Sequence, residues 1–359
     1  LAALLGWAQG GVDHGSAMEV LRNFLLRAEA GRLSVYATTL TTHLTGEIPA
    51  EVSVSGAILV PARKLAELAK EAAGERVTLE LDGVQLRMTL THGTYKLATR
   101  PAEDFPAEPP LANPVRLRWD GEDLDYALET VGITTSTNDT RFNLSAALLE
   151  PRQGEAGTMR LVSTDGHRMT ILDRSPVGAS GLPPGPQLLI PREGLTVLRS
   201  LLKKAGEVTL EVAKDIVAVS HEGRRVAVRL LAEERFPDYS VVIPAHTPIK
   251  ATIPREALRA ALRRALILTD QKFKAVDLAF TADKLHVRGV AAELGEADEA
   301  LEVDCNSEVN SRLNARYLLD ACECMRSEQI ILGMVDARHP VVITGDGDPG
   351  FKVVVMPMQ

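Results

Sequence analysis

The side chains best placed to do chemistry lie together at Thr164-Asp165-Gly166-His167. An aspartate two residues before a histidine can share a metal ion or act as an acid–base pair, and a nucleophile beside them would need a base oriented by a third group. No serine or cysteine is placed by the sequence to complete such a set. The same four residues also read as a turn, with Asp capping backbone N–H groups and Gly taking a positive φ. Turnover that vanishes in Asp165→Ala or His167→Ala would mark the enzyme alternative. The other histidines (His14, His43, His92, His221, His246, His286 and His339) show no ligand spacing. Cys305, Cys322 and Cys324 form an odd set without a disulfide framework and fit a reducing cytoplasm. Cys322 and Cys324 stand two apart in a helical stretch, so they point to different faces and make a poor chelate. The sequence holds neither a Walker loop nor a dinucleotide fingerprint. No catalysis, metal or cofactor is expected.

The elements that carry these residues repeat along the chain. Val60-Pro61-Ala62-Arg63, Ile190-Pro191-Arg192-Glu193 and Ile253-Pro254-Arg255-Glu256 each end a strand and open a helix, with Pro expected at the first helical position, where its missing N–H costs nothing. Leu65, Leu68 and Ala72 then recur at helical spacing, as do Leu195, Leu198 and Leu202, and Leu258, Ala261, Leu262 and Ala265. Gly74 and Gly206 read as helix C-caps, each followed by a run of alternating strands ending at Phe105-Pro106 and Phe236-Pro237. Two further helices are expected over Glu122–Val131 and Ala315–Met325, and a sixth at Leu1–Ala8. Two helices with their strands make a domain of roughly 120 residues. The expected class is α+β: three similar domains, 1–113, 114–244 and 245–359, each with two helices packed on antiparallel sheets. The Pro-rich stretches Pro106–Pro114 and Pro244–Pro248 mark the joints. The chain opens on Leu1 rather than Met, and an N-terminal strand before it is expected.

Composition narrows the function. With 45% hydrophobic residues the 359-residue chain can bury several cores, and no run approaches the ~18 apolar residues of a membrane span. The net charge of −8 opposes simple tight binding to nucleic acid, which depends on neutralising phosphates. Basic residues are nevertheless gathered in stripes: Arg255, Arg259 and Arg263 on one helix, and Arg192, Arg199 and Lys203 on another. Each stripe alone also fits a solvated helix face. The Glu122–Val131 helix disagrees, carrying Glu122, Asp123, Asp125 and Glu129 without a base.

Five segments in order resemble the bacterial beta sliding clamp family: Val60-Pro-Ala-Arg-Lys64, Asn138-Asp-Thr-Arg-Phe-Asn-Leu144, Leu161-Val-Ser-Thr-Asp-Gly-His-Arg-Met169, Arg235-Phe-Pro-Asp-Tyr239 with Ile243-Pro244, and Val354-Val-Met-Pro-Met358. The resemblance spans nearly the whole chain. It implies a non-catalytic processivity factor of the replicative DNA polymerase: a head-to-tail homodimer closed around duplex DNA, with two helices of each domain facing the hole. Enclosure needs no base readout and only modest electrostatics, which reconciles the role with the acidic chain. Phe142, Asn143, Arg192, Arg199, Lys203, Arg255, Arg259 and Arg263 are the expected DNA-facing residues, and Phe105, Ile267 and Leu268 the expected apolar parts of the dimer contact.

The resemblance also implies a groove for short peptides carried by the clamp loader, the polymerase and repair proteins, which offer a glutamine and apolar side chains. Its members would be Arg141, Leu144, Thr164, Gly166, His167, Arg168, Met169, Pro237, Val242, Val354, Met356, Pro357 and Met358, with Asn314 and Tyr317 at the edge. Methionine and valine suit a groove that takes many partners. Ser240-Val241 stands where the family often has a basic residue, the chain stops at Gln359 where a base often follows, and Thr38-Thr39-Leu40-Thr41 lacks the family's two acids. A cytoplasmic, nucleoid-associated place of action is expected, with no membrane partner. The runner-up is an interaction scaffold of the same fold that does not encircle DNA.

Overall fold

The computed structural model describes residues 1–137, 142–152, 155, 157–179, 187–348 and 350–358. Among them are six α-helices: α1 (Ala2–Ala8), α2 (Ala62–Glu71), α3 (Gly121–Thr134), α4 (Arg192–Arg199), α5 (Arg255–Ile267) and α6 (Ala315–Cys324). The strands pair antiparallel in four sheets, which is the expected α+β class. No helix among the described residues is long and apolar enough to cross a membrane.

The prolines stand one residue earlier than expected. Pro61, Pro191 and Pro254 are the last residues of strands 56–61, 188–191 and 249–254, and Pro61 and Pro254 are N-caps with extended ψ of 108° and 121°. A residue without an N–H suits the place where a ladder ends, and its fixed φ serves the cap as well as the first turn. Only one of the two glycine caps is left-handed. Gly74, past the end of α2, has φ +94°, whereas after α4 that conformation falls to Lys204 at φ +63°. The reason is that α4 stops at Arg199 and the chain runs through turns before Gly206. Lys203 therefore lies beyond the helix whose face it was expected to share.

The chain divides into two compact units. The first comprises Leu1–Tyr126, Pro176–Leu182 and Glu193–Leu230. Its nine-stranded sheet joins strands from 23–61 to strands from 115–120 and 207–229, at the pairing of 42–49 with 224–229. A three-stranded sheet (78–82, 85–89, 94–98) completes it. α1 and α2 pack on each other, with Leu4, Leu5, Leu65, Phe24 and Met88 in one buried cluster. Each such leucine contributes ~2 kcal/mol by leaving water. α1 lies close on the sheet because Gly46 lacks a side chain: a Cβ there would stand 2.6 Å from Leu4 Cδ1.

The second unit comprises Ala127–Ser175, Pro183–Arg192 and Leu231–Gln359. Its nine-stranded sheet is joined where 168–174 pairs with 351–355. The four-stranded sheet (275–280, 284–291, 295–302, 309–314) shows the alternation expected of a half-buried sheet, Leu285, Val287, Gly289 and Ala291 facing inward. α5 and α6 pack together, and α5 lies against strands 284–291 and 295–302. Buried alanines on both helices (Ala261, Ala265, Ala315, Ala321) permit close approach.

Candidate functional site

The segment Thr164–Arg168 is a turn between strands 159–164 and 168–174 of the second unit. Asp165 Oδ1 accepts the N–H groups of His167 (3.0 Å) and Arg168 (3.1 Å). Thr164 Oγ1 donates to the Arg168 carbonyl at 2.7 Å and accepts the Gly166 N–H at 3.0 Å. Gly166 has φ +89°, which explains the residue type. The carboxylate is thus engaged in shaping the turn, and the His167 imidazole stands exposed.

Arg168 is the best-held side chain of the expected groove, at 10% exposure. Its Nε donates to Asp165 Oδ2 (3.1 Å), Nη1 to Asp320 Oδ2 (2.5 Å) and Nη2 to the Ile133 carbonyl (3.1 Å) in the last turn of α3. The guanidinium lies 4.4 Å from the centre of the Tyr317 ring. Burial raises the Tyr317 phenol above its ordinary pKa, first among several causes. Asp320 was not foreseen from sequence; its one signal was the i, i+4 spacing from Arg316, whose Nε sits 2.8 Å from Asp320 Oδ1.

The terminal segment is tied down at two points in the same unit. The Met356 N–H donates to the His167 carbonyl at 2.9 Å, and the Met358 N–H to the Arg312 carbonyl at 2.8 Å. Met169 and Val354 are opposed in the sheet and only 3% and 2% exposed, and Leu144 is also buried, so these three lie beneath the surface. Exposed apolar surface comes from Met356 and Val242, with Pro237 also exposed. Met358 lines a 270 Å³ cleft with Phe273, Val290, Asp270, Asp277 and Arg312, while Pro237 lines a separate 960 Å³ cleft with Phe236, Tyr239, Glu150 and Arg160. Phe273, 53% exposed, escaped the sequence reading because no periodicity marks a loop residue. Asn314 N-caps α6, accepting from Arg316 N and Tyr317 N, and its Nδ2 holds the Phe273 carbonyl at 3.0 Å. Arg141 lies outside the described residues. Phe142 opens the short 3-10 turn Phe142–Leu144, and Asn143, expected to face DNA, donates from Nδ2 to the Arg235 carbonyl at 3.2 Å.

Most arginines of the basic stripes have partners within the chain. Arg192 Nη1 donates to the Thr135 carbonyl just past α3 (2.9 Å), and Arg255 Nη1 to the Cys322 carbonyl near the end of α6 (3.2 Å). These equivalent arginines of the repeat thus both serve helix C-termini, where positive charge is favoured. Arg199 Nε lies 2.7 Å from Asp125 Oδ1 of the acidic α3. Arg255 and Arg259 share Glu256, and Arg263 reaches Glu323 of α6 at 2.6 Å. Lys203 is exposed and enters none of the ion pairs found among the described residues.

Of the residues expected to join two copies, Ile267 is 68% exposed at the end of α5 and Leu268 is half-buried. Phe105 is only 8% exposed, its ring edge-on to Tyr36 at 5.4 Å, so it belongs mainly to the first unit's core. Among the strands that end their sheets without a further partner among the described residues are 94–98 in the first unit, carrying the exposed Tyr95 and Lys96, and 295–302 in the second, carrying Glu296, Asp298, Glu299 and Glu302.

Three family models match in order: the DNA polymerase III beta subunit N-terminal domain over residues 1–109, its central domain over 119–238 and its C-terminal domain over 240–359. The chain is 30% identical over 366 residues to the beta sliding clamp of Caulobacter vibrioides, covering 100% of this chain and 97% of the relative. It is 29% identical to the beta sliding clamp of Vibrio cholerae, covering 96% and 93%. Among solved structures, the DNA polymerase III subunit beta of Pseudomonas aeruginosa matches with a TM-score of 0.93 at 26% identity, covering 100% of this chain and 97% of that one. A Caulobacter crescentus clamp with polyethylene glycol bound to its putative beta-motif tethering region matches at 0.93 and 29%, covering 100% and 96%.

Proposed function

The chain belongs to the bacterial DNA polymerase III beta subunit family, the beta sliding clamps, and from that premise we propose that two copies close head to tail into a ring around duplex DNA, with one peptide groove on each copy. As a DNA sliding clamp it is a processivity factor and not an enzyme. The observation that carries the reading is the ordered match of all three clamp domains along nearly the whole chain. Domains bounded at 1–113, 114–244 and 245–359 would supply two helices each to the hole.

Closure is supported by two of the open strand edges, 94–98 and 295–302. One carries Tyr95 and Lys96; the other is acidic and belongs to the same sheet on which α5 packs, with Ile267 exposed at that helix's end. A head-to-tail contact would add one strand to the other and bring base to acid. Phe105, packed against Tyr36, would join the same contact. DNA would be held by enclosure, with Lys203, Arg259 and Arg263 offering phosphate contacts while Arg192, Arg199 and Arg255 mainly hold the helices together.

The groove would run over the 164–168 turn, Met356, Pro357 and Met358 toward Val242 on one side and Tyr317 on the other. Clamp loader, replicative polymerase and repair proteins would compete for it with a glutamine and apolar side chains, in the cytoplasm where the nucleoid lies. Met358→Ala should lower peptide affinity while leaving the ring assembled; an unchanged affinity would refute the groove.

The ring is tested on nicked circular plasmid loaded by a clamp loader. The protein should stay on the circle and leave within seconds to minutes of linearisation. Equal retention on both forms would mean surface binding and would overturn the topological reading.

A further inference from the structure

Arg168 sits in the proposed groove, yet its geometry leaves it little to give a peptide. Its side chain is 10% exposed, and Nε, Nη1 and Nη2 each have a protein acceptor. Its Cζ lies over the ring of Tyr317, 4.4 Å from the ring centre. A guanidinium so held acts as a brace: it sets where the ring of Tyr317 stands.

The brace has two anchors of different kinds. Asp165 belongs to the same turn as Arg168, so it moves with it. Asp320 lies on α6, three residues after Tyr317 and therefore on the same face of that helix. Its carboxylate is itself fixed, with Oδ1 2.8 Å from Arg316 Nε and the side chain 9% exposed. Through Asp320 the turn and the helix bearing Tyr317 are held in one register. We propose that Asp320 is a positioning residue of the peptide groove, acting through Arg168 on the ring of Tyr317. It touches no peptide; it fixes the wall that does. The inference rests on the groove proposed above.

The test uses the full-length protein and a fluorescein-labelled synthetic peptide bearing a glutamine followed by apolar residues, read by fluorescence anisotropy. Asp320→Asn should weaken binding about tenfold, and the loss should disappear in a Tyr317→Ala background, where no ring remains to be positioned. An undiminished affinity in Asp320→Asn would overturn the proposal. So would an equal factor in both backgrounds, which is what a general structural role produces. Should Asp320→Asn fail to fold, Arg168→Lys keeps the charge and loses the planar fork; it should show the same dependence on Tyr317, and additivity there would also overturn the proposal. Met358→Ala is measured alongside. If it binds peptide as well as the unaltered protein, the groove itself is wrong and the inference falls with it; if it weakens binding while Asp320→Asn does not, only the positioning role fails.

Discussion

His43 is 3% exposed, and its Nε2 has no hydrogen-bond partner, while Nδ1 lies 2.9 Å from both Tyr36 Oη and Thr38 Oγ1. Burial, aided by Arg229, lowers its pKa to about 4. Below the ordinary histidine value of about 6.5 the unfolded chain therefore binds a proton that the folded chain refuses, so stability falls as pH drops from 6.5 toward 4. The loss should reach at most about 3 kcal/mol. Thermal melts of His43→Gln across this range should show a shallower slope than the unaltered protein, whatever its stability at pH 7; an identical slope would place the acid sensitivity elsewhere. Charge reversal separates two residues that the sequence placed on one stripe. Arg199→Glu sets a carboxylate against Asp125 in a partly buried position and should cost roughly 1–3 kcal/mol of stability. Lys203→Glu breaks no described ion pair, so it should leave the melting temperature within about a degree or two and instead weaken loading or sliding on DNA. Normal loading of Lys203→Glu would mean that this lysine does not face the hole.

At the scale of elements, α6 depends on one side chain at its start. Asn314 accepts two N–H groups of the first turn and, through Nδ2, holds the Phe273 carbonyl. Asn314→Ala should cost about 1 kcal/mol for the lost cap. Asn314→Asp keeps the cap and loses only the Nδ2 donor, so it should melt near the unaltered protein while hydrogen exchange quickens over residues 270–274. Equal exchange in that loop would show that the Phe273 bond is dispensable. Such local devices are legible in sequence to different degrees. The helices that follow Pro61, Pro191 and Pro254 were readable because strand-ending proline and apolar spacing are local signals. The turn at Asp165-Gly166 was readable for the same reason. The joining of strand 42–49 to 224–229 was not, because edge pairing across such a separation has no local mark. Nor was the neutralisation of the arginine stripes: Arg199 meets Asp125 and Arg263 meets Glu323 only once the helices pack. Nor was the packing of Phe105 on Tyr36, since no spacing links those two residues.

For the whole molecule, the proposed groove and the proposed closure of the ring rest on different residues, so they can be separated. The turn at 164–168, Arg168, Tyr317 and Met356–Met358 all belong to the second unit and are tied to one another there. A single copy therefore holds every described part of its groove. Closure would need a second copy, and Ile267 is one large exposed apolar side chain on the helix that packs against the acidic edge strand. At 68% exposure, Ile267→Asp removes little from the core of one copy, so the folded protomer should melt nearly as before. Burying that carboxylate against a second copy without a partner is costly, and dimer affinity should fall by at least about tenfold. Sedimentation at micromolar protein should then report monomer, and the protein should leave circular and linear plasmid alike, because an open chain encloses nothing. Peptide affinity should stay within about twofold of the unaltered protein. A variant that stays dimeric would place the contact away from α5. One that loses peptide binding along with the dimer would mean that the groove is completed by the second copy, and that recruitment of partners and enclosure of DNA are one event rather than two.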